Sequence, residues 1–99
     1  MTARMMLHAD SFRAMTRMMM NVAHQVCGGR LVMVHEGGYA AASAPYLALA
    51  IIEELSGIRS PVVDPFLPNW RVLPGQRLQP HQAAHIEQVA AHALRIGRI

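Results

Sequence analysis

The sequence predicts an α/β protein, with its elements in the order helix, strand, helix, extended segment, helix. Three observations carry that expectation. Apolar residues recur at helical spacing from Phe12 to Val26, Leu31–Val34 is a short run with no polar alternation, and Tyr46–Leu55 is apolar on nearly all sides. A run that is apolar on both faces fits a strand covered on both sides, as in a parallel sheet.

The first helix is expected to start at Asp10 or Ser11, whose side-chain oxygens can accept from the free amides of a first turn. Phe12, Met15, Met19, Val22 and Val26 then alternate in steps of three and four, which defines one face of a 3.6-residue helix. Arg13, Arg17, Asn21, His24 and Gln25 lie mostly off that stripe. Gly28 or Gly29 ends the helix, since glycine accepts the left-handed cap conformation. Met15, Met18, Met19 and Met20 read as adaptable core packing or as a pliable face for a partner.

After the expected strand, Glu36-Gly37-Gly38-Tyr39 forms a loop. Pro45 suits the first turn of a second helix running to about Leu55, with only Glu53 and Glu54 charged. Such a helix is expected to be deeply buried. Gly57 terminates it. Pro61, Pro65, Pro68, Pro74 and Gly75 then forbid a regular element of any length before Gln79, so an extended segment anchored by Val62, Val63, Phe66, Leu67 and Trp70 is expected. A final helix starts near Pro80, with Ile86, Val89, Ala90, Ala93 and Leu94 as its apolar stripe.

One strand alone is a physical difficulty, because its backbone donors and acceptors need neighbours. Pro61–Val63 and Val72–Leu73 are poor partners. Either the strand pairs with another copy or its sheet lies in further sequence, and the chain reads as incomplete.

Composition narrows the function classes. The apolar fraction is 53% and only 15% of residues are charged, which leaves little polar surface to cover a core in a chain of 99 residues. The net charge of +3 comes from scattered arginines with no lysine and no basic run, which argues against nucleic-acid binding. A single cysteine, Cys27, excludes an internal disulfide and fits a reducing cytoplasm. The longest apolar stretch, Ala44–Ile52, is far short of the roughly 20 residues that span a bilayer. Met5–Leu7 is too short a run for a signal-peptide core.

The stretches "CGGRLVMVHEGGY" and "PYLALAIIEELSGIRSPVVDP" resemble the C-terminal part of the class II histone deacetylase-like amidohydrolases. That family of zinc-dependent hydrolases also includes acetylpolyamine amidohydrolases. The resemblance begins near "ARMMLHADSFRAMT", passes "GIRSPVVDP" and thins over the final helix. It implies an arginase-deacetylase-type parallel-sheet fold, with residues 1–79 as the C-terminal part of the deacetylase domain and 80–99 as a terminal helix.

By that resemblance Tyr39 is the catalytic tyrosine, and Glu36, Gly37 and Gly38 line the tunnel that admits the acylated side chain. Residue type fits role: a phenolic O–H is a donor at neutral pH. Opposite a Lewis-acidic zinc it would polarise an acetyl carbonyl and hold the developing oxyanion. The implied substrate is an acetylated lysine or polyamine.

The departures concern the metal. The family's Asp-x-His pair and tandem histidines are absent, and the only aspartates are Asp10 and Asp64. The family's second zinc aspartate would fall just upstream of Met1. His8 and Asp10 stand in the reverse order, where capping is a sufficient role for Asp10. His81, His85 and His92 share a helical face, but no carboxylate or cysteine completes a ligand set and the face is opposite the apolar stripe. His35 reads as a packed, hydrogen-bonded histidine and Cys27 as a buried helix-end thiol.

The sequence thus points to the C-terminal portion of a zinc-dependent deacetylase, inactive and without tightly bound zinc when alone. The alternative is an inactive remnant serving as a helical interaction module, self-associating through its apolar strand and helices. No nucleic acid and no membrane are expected as partners.

Overall fold

The computed structural model describes residues 6–97. Arg4 and Arg98, two of the scattered arginines, and Met5 lie outside the described residues. Four helices follow one another: α1 (Ala9–Cys27), α2 (Ala44–Ser56), α3 (Leu67–Arg71) and α4 (Pro80–Ile96). Among the described residues there is no strand. This corrects the expected α/β fold with its parallel sheet. A strand exists only as a ladder with a neighbour, and no described residue hydrogen-bonds to the backbone of 31–38. Val32 and Val34 stand exposed instead of covered on both faces.

The long helices obey their end signals. His8, not Asp10 or Ser11, is the N-cap of α1, and its N–H donates to Ser11 Oγ at 3.3 Å. Gly28, at φ 64°, stops the helix, and Gly29 N–H closes it by donating to Ala23 O at 2.9 Å. Pro45 falls in the first turn of α2 and Pro80 in that of α4. Gln79 N–H donates to Gln82 Oε1 at 2.8 Å to open α4. The short α3 is a second correction: Pro68 falls in its first turn, where proline's missing N–H is no loss.

The core lies between α1 and α2. Its α1 face is not the methionine–valine stripe. The buried positions are Ala9, Thr16 and Ala23, two turns apart, with Ala50 and Glu53 opposite on α2. Small residues let two helices approach closely. Thr16 satisfies its hydroxyl within its own helix, donating to Phe12 O at 2.7 Å. Met15, Met19, Val22 and Val26 are exposed, about one residue's rotation away from the packed face.

Helix α2 is not buried all round either, since Ile52 and Leu55 are exposed. Of the anchors expected in the proline-rich segment, Phe66 meets Tyr46 edge-on with centroids 6.0 Å apart, while Val62 and Val63 stay exposed. On α4 every described residue but Ala83 is exposed. The radius of gyration, 16.0 Å, exceeds the roughly 13 Å of a compact 100-residue domain. The surface, 8328 Å², likewise exceeds the roughly 5,600 Å² of a folded monomer of this mass. The architecture is an open one, with a small core and much unpartnered apolar surface.

Candidate functional site

Between Gly29 and Ala40 the chain runs without regular structure through Gly37 and Gly38, and residues 41–43 turn it into α2. Gly37 and Gly38 have φ of 72° and 90°, a conformation L side chains rarely adopt. Neighbouring side chains approach this pair from both directions along the chain. On one side the Tyr39 ring approaches, its Cε2 3.7 Å from where a Cβ on Gly37 would sit. On the other, His35 Nε2 lies 2.9 Å from the equivalent point on Gly38, and Ala44 Cβ closes in at 3.5 Å. Beyond the glycines, Ala44 N–H donates to Ala40 O at 2.9 Å and leads the chain into α2.

Tyr39 is 88% exposed, so its phenol stands free in solvent beside the glycines. Glu36, Gly37 and Gly38 are exposed with it. Glu36, Gly37, Gly38 and Tyr39 thus lie in one exposed, irregular segment before α2. His35, Glu36 and Gly38 also border an apolar groove of about 420 Å³, whose walls include Phe12, Met33, Leu47 and Ile51.

For a metal the described residues offer no three of His, Cys, Asp and Glu gathered in one place. Asp10, in the first turn of α1, is taken by Arg71, whose Nε donates to Asp10 Oδ2 at 2.7 Å. His81, His85 and His92 stand exposed along α4. The zinc that the resemblance implies thus finds no ligand set among the described residues.

Sequence reasoning missed a charge network. Arg13 Nη1 is 2.6 Å from Glu53 Oε2, and Arg59 reaches both Glu53 Oε2 (3.4 Å) and Glu54 Oε1 (3.0 Å). Ser60 N–H donates to Glu53 Oε1 at 3.0 Å. That backbone donor first, and Arg13 second, hold the Glu53 carboxyl below the usual carboxylate range. The hydrogen bond from Arg71 lowers Asp10 in the same sense, and Asp10 in turn raises Arg71. A signal was present: Arg13 and Arg17 are four apart on α1, and Glu53-Glu54 is the only charged pair in an otherwise apolar helix. These arginines, with Arg71, border a second cavity of about 460 Å³ that shares no residue with the glycine pair. The network joins helices and lies outside the candidate site.

The comparisons with known proteins agree on one family. Residues 1–55, which hold α1, the glycine pair and nearly all of α2, match the histone deacetylase domain. A histone deacetylase-like amidohydrolase of Pseudomonas aeruginosa is 50% identical over 90 residues, which is 90% of this chain. Those residues make up 24% of that relative, so the chain spans about a quarter of its length. With more than half of its residues matching the family, and the Glu-Gly-Gly-Tyr segment inside the match, this chain belongs to the histone deacetylase domain family.

Proposed function

We propose that this chain forms part of an amidohydrolase that cleaves acetyl-amide bonds, and that Tyr39 is its oxyanion-stabilising residue. The observation that carries the reading is the exposed Tyr39 phenol directly after two glycines at positive φ, within the stretch that matches the family. Gly37 and Gly38 have no side chains to keep an acylated side chain from the phenol, and Glu36 completes the rim of the entry.

Hydrolysis breaks the amide C–N bond, water giving its hydroxyl to the acetyl carbon and its proton to the amine. Charge builds on the carbonyl oxygen as the carbon becomes tetrahedral. A phenolic O–H aimed at that oxygen donates a hydrogen bond that strengthens as the charge develops. The described residues supply no ligand set for zinc, so no step of this account runs through the metal. On its own the 99-residue chain is inactive in this reading. The substrate is an acetyl-lysine side chain or an acetylated polyamine, each an extended amine chain suited to a narrow entry.

The test is the rate of acetate release by the protein as its own cells make it, wild type against Tyr39→Phe. An acetyl-lysine peptide and an acetylated polyamine serve as rival substrates. A loss of about 10²–10³ in rate supports the reading, the range for one oxyanion donor. Unchanged turnover by the phenylalanine variant would overturn it.

A second reading, self-association as an interaction module, is favoured by the exposed Met15, Met19, Val22 and Val26 face of α1. Sedimentation that is independent of concentration would dismiss it.

A further inference from the structure

The geometry points to His35 as a positioning residue for Tyr39, acting through Gly38. Three facts meet here. First, no described residue hydrogen-bonds to the backbone of 31–38, so no backbone hydrogen bond fixes the angles of Gly38. Second, the three atoms nearest to where a side chain on Gly38 would stand belong to His35 and Ala44. The imidazole occupies the space a Cβ would take, with Nε2 at 2.9 Å and Cε1 at 3.6 Å from that point. Third, Tyr39 follows Gly38 directly, so the backbone angles of Gly38 decide where the phenol is carried.

His35 therefore works as a wedge. Its ring and the Ala44 side chain flank the same face of Gly38, and Ala44 opens a helix that is itself packed on α1. With the ring gone, the nearest obstacle on that face is lost, and Gly38 regains more of the broad range of angles open to glycine. The phenol would then sample positions away from the carbonyl oxygen. A donor that must meet a developing charge loses most of its effect when displaced by a fraction of an ångström to an ångström. The ring is needed for its shape rather than its nitrogens. Neither nitrogen makes a hydrogen bond to a described residue.

This inference rests on the reading of Tyr39 as the oxyanion donor, and the experiment separates the two. Steady-state rates on an acetyl-amide substrate are measured for wild type, His35→Ala, His35→Phe, Tyr39→Phe and the His35→Ala/Tyr39→Phe double variant, in the protein as its cells make it. The expected result is a fall in kcat of about tenfold for His35→Ala with KM little changed, inside the ~100-fold that a 1 Å misplacement can cost. His35→Phe, which keeps a flat ring, recovers most of the loss. In the Tyr39→Phe background His35→Ala has no further effect, because the group it positions is already gone.

If Tyr39→Phe is crippled while His35→Ala equals wild type, the His35 assignment falls and the Tyr39 reading stands. An equal His35→Ala loss in both backgrounds also overturns it, since the effect would then bypass Tyr39. If Tyr39→Phe keeps full rate, the Tyr39 reading fails and takes this assignment with it. A measurement free of activity completes the test: the two α-protons of Gly38 should show a ring-current shift in the 99-residue chain that disappears in His35→Ala. Its absence in wild type would overturn the contact itself.

Discussion

Arg13 Nη1 stands 2.6 Å from Glu53 Oε2 across the α1–α2 contact, and the Glu53 side chain is only 4% exposed. A carboxylate so placed needs its partners, because an unpaired buried charge is far more expensive than an absent one. Arg59 and the Ser60 N–H share the task, so the ion pair ties the segment after α2 to the two helices as well.

Replacing Arg13 by Met removes the shortest partner and leaves Arg59 and Ser60 in place. The expected loss is about 2 kcal/mol in urea melts of the chain, below the 3–5 kcal/mol for breaking a buried pair with no second cation. Adding Glu53→Leu to Arg13→Met should recover most of that loss. A double variant no more stable than Arg13→Met would show that the pair does not carry the contact.

Acid should unfold the chain along a defined slope. The Ser60 N–H and then Arg13 hold Glu53 below the usual carboxylate range, and Arg71 does the same for Asp10. A carboxyl whose folded pKa lies below its unfolded value binds fewer protons when folded. Its contribution is full above the unfolded values, about 4.3 for Glu and 3.9 for Asp, and is lost as pH falls through the folded ones. The urea midpoint should therefore drop steeply below about pH 4. Glu53→Gln and Arg71→Gln should each flatten part of the slope, and a profile unchanged by either would refute the assignment.

The packed face of α1 can be told from its apolar stripe by two substitutions. Ala50 on α2 is fully buried at the contact. Ala50→Leu should overpack it at a cost of about 1–3 kcal/mol. Val22 is half-exposed on the neighbouring stripe, so Val22→Ser should change thermal stability by no more than about 0.5 kcal/mol. The reverse ranking would restore the stripe as the packed face.

That ranking marks how far the sequence could be read. Helix ends were legible because Gly28, Gly57, Pro45 and Pro80 act locally, through backbone angles and missing donors. The Glu36–Tyr39 loop was legible for the same reason, since two adjacent glycines invite positive φ. The partner of α1 was not. Periodicity finds the most apolar face, whereas the contact with α2 uses small residues, Ala9, Thr16 and Ala23, that a hydrophobic stripe does not single out. The run Leu31–Val34 misled for a related reason: its composition suits a strand, but a strand is made by pairing, and no described segment pairs with it. His35 was expected to be packed and hydrogen-bonded, yet it is exposed and makes no hydrogen bond to a described residue. Its place against Gly38 follows from φ values that only coordinates supply.

Gly38 and Gly57 give a matched pair for a last test. Both have positive φ, 90° and 71°, so alanine at either position should cost roughly 1–2 kcal/mol of stability from backbone strain alone. Nothing lies within 4 Å of a Cβ built on Gly57. A Cβ on Gly38 would come within 2.9 Å of His35 Nε2, the movable end of a side chain, so the ring should swing away and the added stability loss should be small. The two variants are therefore expected to melt alike but to differ in spectrum. In Gly38→Ala the His35 ring and Tyr39 ring resonances should both shift, and in Gly57→Ala neither should. Equal, unshifted aromatic spectra in the two variants would mean that the imidazole does not rest on Gly38, and the link from His35 through Gly38 to Tyr39 would be broken.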